Sequence, residues 1–200
     1  MNSLNDYYGE LTRREGKSKT KLVAPWPRDQ IRSITHCFRR AFTACRFEER
    51  PFTVEKNITG PALGNKLANH FATELCLRLK KFTIQSCAGQ GYPDRRLVRV
   101  EGNRSFALEL KATTAFEPKS NHRVILTSSS SKLRQEFSPP INHLLVTVFF
   151  RKICNQVWIY NMRLDFLGPS SKVNVRLEAS VSQHLLADAK HPSRWQIEIN

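Results

Sequence analysis

From Arg28 to Cys45 the apolar side chains Ile31, Ile34, Phe38, Phe42 and Cys45 recur at helical spacing with arginines between them, which predicts a helix with one basic face. Arg50-Pro51 interrupts the pattern. Thr59-Gly60-Pro61 then offers a cap and an early proline for a second helix, running from about residue 61 to 80. At about 100° per residue, Leu63, Leu67, Phe71, Leu75 and Leu79 drift slowly around that helix, and Ala68, Ala72 and Cys76 widen the stripe. This helix should face a core. The same arithmetic sets Glu74 at about 20° from Leu63, so one carboxylate falls on the buried side.

After Gly89-Gln90-Gly91 the period changes from helical to alternating. Residues 97–101, 106–111, 123–127, 144–151, 157–164 and 173–177 read as strands, with turns such as Glu101-Gly102-Asn103 between them. Residues 1–27 are polar and basic and end in Pro25-Trp26-Pro27, which reads as a loose N-terminal arm closed by a turn. Ser128 to Ser131, just before Lys132-Leu133-Arg134, suggests a helix start or a flexible loop. The order is therefore helix, helix, then mostly strands, without internal repeats.

Composition adds a partner. The chain has 200 residues with 32 Lys+Arg against 17 Asp+Glu, a net charge of +15, and its 40% apolar content is enough for a core in a single domain spanning residues 1–200. Divided after residues 56 and 111, the chain carries the same excess of five positive charges in each segment. The field thus belongs to the folded body and suits a polyanion, because surface Lys and Arg release counterions from a phosphate backbone. A membrane is the weaker match: the longest apolar run, Leu144 to Phe150, is far short of the roughly 20 residues a spanning helix needs. Met1 to Asp6 has no signal-peptide pattern, so the expected location is the cytoplasm. The 5 cysteines form no CxxC pair and read as reduced, small apolar residues. No HExxH, GxGxxG or P-loop is present, which leaves zinc hydrolysis and nucleotide binding unsupported.

The chemistry concentrates between Tyr92 and Thr114. Tyr92-Pro93-Asp94 leads into one strand, Gly102-Asn103 turns, and Ser105 to Lys111 forms the next, where Ala107, Glu109 and Lys111 share one face and Phe106, Leu108 and Leu110 the other. If the two strands pair as a hairpin, Asp94 lies near Glu109. Two hard carboxylates, with the main-chain carbonyl of Leu110, would hold Mg²⁺, which polarises a phosphoryl oxygen and acidifies a bound water. Lys111 would orient that water and stabilise charge in the transition state.

These residues resemble the PD-(D/E)xK nuclease superfamily: Pro93-Asp94 is followed fifteen residues later by Glu109-Leu110-Lys111. Other Asp/Glu-x-Lys triplets, Glu15-Gly16-Lys17 and Asp188-Ala189-Lys190, lack a Pro-Asp at a suitable distance and an apolar strand around them. The resemblance covers about residues 60–150 and implies a mixed central sheet flanked by helices, a restriction-endonuclease-like α/β core. It also implies an auxiliary carboxylate on the preceding helix, a position that Glu74 fits. A chain of this length without ATPase segments most looks like a type II restriction endonuclease, a homodimer cutting both strands of duplex DNA at a specific sequence with Mg²⁺. The alternatives are a structure-specific repair or recombination nuclease of the same superfamily and a DNA-binding protein without catalysis. For DNA contact the donors expected are Arg95 and Arg96 on phosphate, and Lys119, Asn121, His122, Arg123, Lys132 and Arg134 just after the catalytic strand.

Overall fold

The computed structural model describes residues 2–17, 22–88, 92–114, 130–177, 183–187 and 196–199. Its elements in chain order are β1 (Asn2–Ser3), α1 (Leu4–Arg14), α2 (Arg28–Cys45), β2 (Phe52–Thr53), α3 (Gly60–Cys76), β3 (Phe82–Ser86), β4 (Arg95–Arg99), β5 (Ser105–Thr113), α4 (Ser131–Glu136), β6 (His143–Ile153), β7 (Gln156–Leu167), β8 (Lys172–Leu177), β9 (Gln183–Ala187) and β10 (Gln196–Ile199). The main sheet runs β10-β7-β6-β5-β4-β3, with β2 on the free part of β7, and β1-β8-β9 form a second sheet. Among the described strands of the main sheet only β5 and β6 pair in parallel. That parallel pair requires a crossover, and α4 lies in it. The fold is the mixed α/β class expected, a central sheet flanked by helices.

Alternation along the central strands builds two cores. Phe106, Leu108 and Leu110 of β5 and Leu144, Val146 and Val148 of β6 pack with α2 and α3 through Ile34, Phe38, Leu67, Phe71 and Leu75. On the opposite face Ala107, Leu145 and Leu167 pack with Tyr7, Tyr8 and Leu11 of α1 and Leu133 of α4. Glu109 has the parity of Ala107, so it projects to the α1–α4 side of the sheet, away from α3. Among the described residues no helix is long and apolar enough to cross a membrane.

The N-terminus is not a loose arm. Ser3 caps α1 and Asp6 returns the bond, with Asp6 N to Ser3 Oγ at 3.1 Å and Ser3 N to Asp6 Oδ2 at 3.2 Å. Leu4, Tyr7, Tyr8 and Leu11 are buried against the sheet, and Trp26 donates to the His143 carbonyl at 3.0 Å while stacking on Phe106. The low hydropathy of the segment hides this, because its apolar stripe is narrow and half tyrosine. Of the expected strands, 123–127 lies outside the described residues, and β3, a short edge strand, was not apparent in the pattern. Leu4→Ala is expected to cost about 2–5 kcal/mol by the cavity it opens in a fully buried position, read as a lower urea midpoint. A loose arm would leave the midpoint unmoved.

Candidate active site

β4 and β5 form the antiparallel hairpin that the spacing requires, with Arg95 opposite Leu108 and Arg96 opposite Ala107. Continuing that register sets Asp94 opposite Glu109, and the backbone N–H of Asp94 points at Glu109 Oε2 from 3.4 Å. Two residues further along β5, Lys111 Nζ lies 2.6 Å from Glu109 Oε1. Glu109 is only 2% exposed, whereas Asp94 is exposed. Burial pushes the Glu109 carboxyl up to about 7; Lys111 opposes the shift and the charge of Asp94 adds to it.

Beneath this pair lies an aromatic stack that sequence reasoning did not anticipate. The His143 ring lies against Tyr92, at 5.7 Å and 8°, and against Tyr8, at 5.6 Å and 30°. His143 Nε2 faces the Leu22 carbonyl at 3.1 Å, and a carbonyl only accepts. Nε2 therefore carries the hydrogen, and Nδ1 accepts from the Tyr92 hydroxyl at 2.7 Å. Burial holds the His143 imidazole down to about 4, against the pull of the Leu22 carbonyl. The stack thus supports Pro93-Asp94 with a neutral histidine. From the other side, Glu136 of α4 accepts from the Ala88 N–H at 3.1 Å and lies 3.7 Å from Arg96, bracing the end of β3.

A cleft of about 990 Å³ opens beside the hairpin, lined by Asp94, Arg95, Leu110, Lys111, Lys152 and the N-terminal half of α3, including Asn65 and Asn69. Arg95 donates to the Asn69 side chain, while its Nε has no partner among the described residues. Arg96 instead turns to the other face and donates to Gln85 at 3.0 Å. Asn65 and Asn69 escaped the sequence reading, although their spacing of four puts them on one polar edge of α3.

Three expectations need correction or limits. Glu74 is not brought to the site: it pairs with Arg78 at 2.9 Å, because α3 packs on the sheet face opposite Glu109 and only its N-terminal half reaches the cleft. Lys132 and Arg134 are not cleft residues either. Lys132 is buried, and Arg134 donates to Ser130 Oγ at 3.2 Å and Thr12 Oγ1 at 3.4 Å, tying α4 to α1. The same junction holds Glu15, which accepts from the Ser130 N–H at 2.8 Å. Lys119, Asn121, His122 and Arg123 lie outside the described residues.

No protein-family model matches the chain, and no curated protein matches it. Among solved structures it is similar to the restriction endonuclease BglI bound to its DNA recognition sequence, with a TM-score of 0.43 and 11% identity over 98% of this chain and 89% of that one.

The residues present fit a hard divalent cation. Glu109 is a desolvated carboxylate beside a second carboxylate, and one ammonium offsets only part of that charge. Asp94, Glu109 and the main chain at Leu110 would be the oxygen donors, of the kind that Mg²⁺ prefers over nitrogen or sulfur. Among the described residues no group of three His, Cys, Asp or Glu side chains gathers for a metal, so the set rests on two carboxylates.

His143 supplies a pH test. Its folded value of about 4 lies below the ordinary 6.5, so the unfolded chain takes up the proton first. Its contribution to stability is full above about pH 6.5 and is lost as the pH falls toward about 4. Relative to His143→Phe, the wild type should lose urea resistance across that window, and the His143 imidazole resonances should stay at neutral positions down to about pH 5. Titration of His143 near 6.5 would overturn the assignment.

Proposed function

We propose that this chain is a Mg²⁺-dependent nuclease that hydrolyses phosphodiester bonds in duplex DNA, and that it works as a homodimeric, sequence-specific endonuclease of the type II restriction kind. The observation that carries the reading is the juxtaposition of Asp94, Glu109 and Lys111 on one hairpin, of which Asp94 and Lys111 also line a cleft, in a chain of net charge +15. Carboxylates repel phosphate, and a site that offers them to a polyanion needs a cation between the two.

Asp94 and Glu109, with the Leu110 carbonyl, would hold that ion. When bound, Mg²⁺ supplies Lewis acidity toward a phosphoryl oxygen and lowers the pKa of a coordinated water. Lys111 favours the ionised form of Glu109 through its 2.6 Å contact, against the burial that raises the carboxyl, and presents positive charge where the phosphoryl oxygens gain negative charge. Arg95 lines the cleft, and its guanidinium suits a backbone phosphate flanking the scissile one. A two-fold pair of such sites would cut the two strands symmetrically.

Purified protein incubated with plasmid and Mg²⁺ should give discrete fragments whose sequenced ends share one motif, and EDTA should stop the reaction. Asp94→Ala, Glu109→Ala and Lys111→Ala should each lower cleavage by on the order of 10²-fold or more while leaving DNA binding nearly unchanged. Glu74→Gln should cut within about twofold of wild type, since an exposed-side ion pair with Arg78 contributes about 1 kcal/mol or less. Absence of Mg²⁺-dependent cuts across varied duplex sequences would refute the proposal.

A further inference from the structure

The basic face of α2 has no part in the cleft. Arg28, Arg32, His36, Arg39 and Arg40 are all exposed and fall within about 120° of arc over about 18 Å of helix. Asp29 is the one acidic side chain on the helix. The next acids follow its end, where Glu49 pairs with Arg46. Among the described residues Arg32, Arg39 and Arg40 make no ion pair. Lys81, exposed before β3, lies close enough to act on the Cys37 thiol together with Arg40, so the patch extends past the helix. No α2 residue lines the cleft.

We propose that this stripe is a second docking surface for the phosphate backbone of duplex DNA, holding DNA that extends beyond the cleft. The inference rests on the reading of DNA as the partner, and not on cleavage. Its charge matches a polyanion, and arginine provides a forked donor that grips phosphate in two places. About 18 Å of stripe spans roughly five base-pair rises, room for several contacts. An anionic membrane fits less well. Helices that lie on bilayers bury an exposed apolar face, and here Ile31, Ile34, Phe38, Ala41, Phe42 and Cys45 are all buried in the core.

The test measures duplex binding without metal, so that nothing is cut. The variant Arg32→Gln, Arg39→Gln, Arg40→Gln is compared with wild type on duplexes of about 40 and about 12 base pairs, with circular dichroism to confirm the fold. On the long duplex the slope of log affinity against log salt should flatten by about 2 to 3, with at least a tenfold loss at low salt, while the short duplex binds equally. The corresponding triple lysine variant should recover most of the affinity. Equal binding of the long duplex by the glutamine variant, or the same loss on both lengths, would overturn the proposal. So would unchanged DNA binding with lost binding to phosphatidylserine vesicles, which would assign the stripe to a membrane. A wild type that binds through α2 yet never cuts with Mg²⁺ would sink the nuclease reading and sustain this one.

Discussion

Two carboxylates and an ammonium share one small volume because β4 and β5 pair in a single register, and the candidate chemistry depends on that pairing. Side chains alternate along a strand, so a slip of one residue would turn Glu109 and Lys111 into the apolar α2–α3 core and send Leu108 and Leu110 to the α1–α4 side. The register is held by burial on both faces. Phe106, Leu108 and Leu110 are anchored in one core and Ala107 in the other, which leaves Glu109 as the buried charge that the pairing must accommodate. Its carboxyl is accordingly pushed toward the neutral form, and Lys111 opposes that shift from 2.6 Å.

The layers around the hairpin have different tasks. On the α1–α4 side, Tyr8, His143 and Tyr92 form a stack in which a neutral imidazole accepts from Tyr92 and donates to the Leu22 carbonyl, so the histidine adds no second buried charge beside Glu109. Glu15 and Arg134 join α1 to α4, and Glu136 joins α4 to the strand end before Asp94. This chain of contacts makes the N-terminal helix part of the support for the site. On the other side, α3 contributes the cleft wall with Asn65 and Asn69, and α2 shields the core while presenting its arginines outward.

Periodicity made much of this legible. The helix of Arg28–Cys45 and the strands around Glu109 and Leu145 follow from local spacing, because their apolar residues fill a whole stripe or face. Legibility failed where burial came from distant partners. Nothing near Leu4 or Tyr8 in the chain announces the sheet face they cover, and β3 is defined by its ladder to β4 more than by its own composition. Glu74 shows the same limit from the other direction. Its place at the edge of the apolar stripe is local geometry, but that angle does not say which face of the sheet the helix will meet.

By itself, then, the sequence determined a basic α/β chain with a Pro-Asp and a Glu-x-Lys placed to meet across one turn, since hairpin pairing is a local matter of spacing and alternation. Only the tertiary structure decided which charged groups join them. It sent Glu74 to Arg78, committed Arg134 to α1, brought Asn69 to Arg95 and set His143 against two tyrosines. Those choices depend on how layers stack across a sheet, and that stacking is set by contacts between residues tens of positions apart.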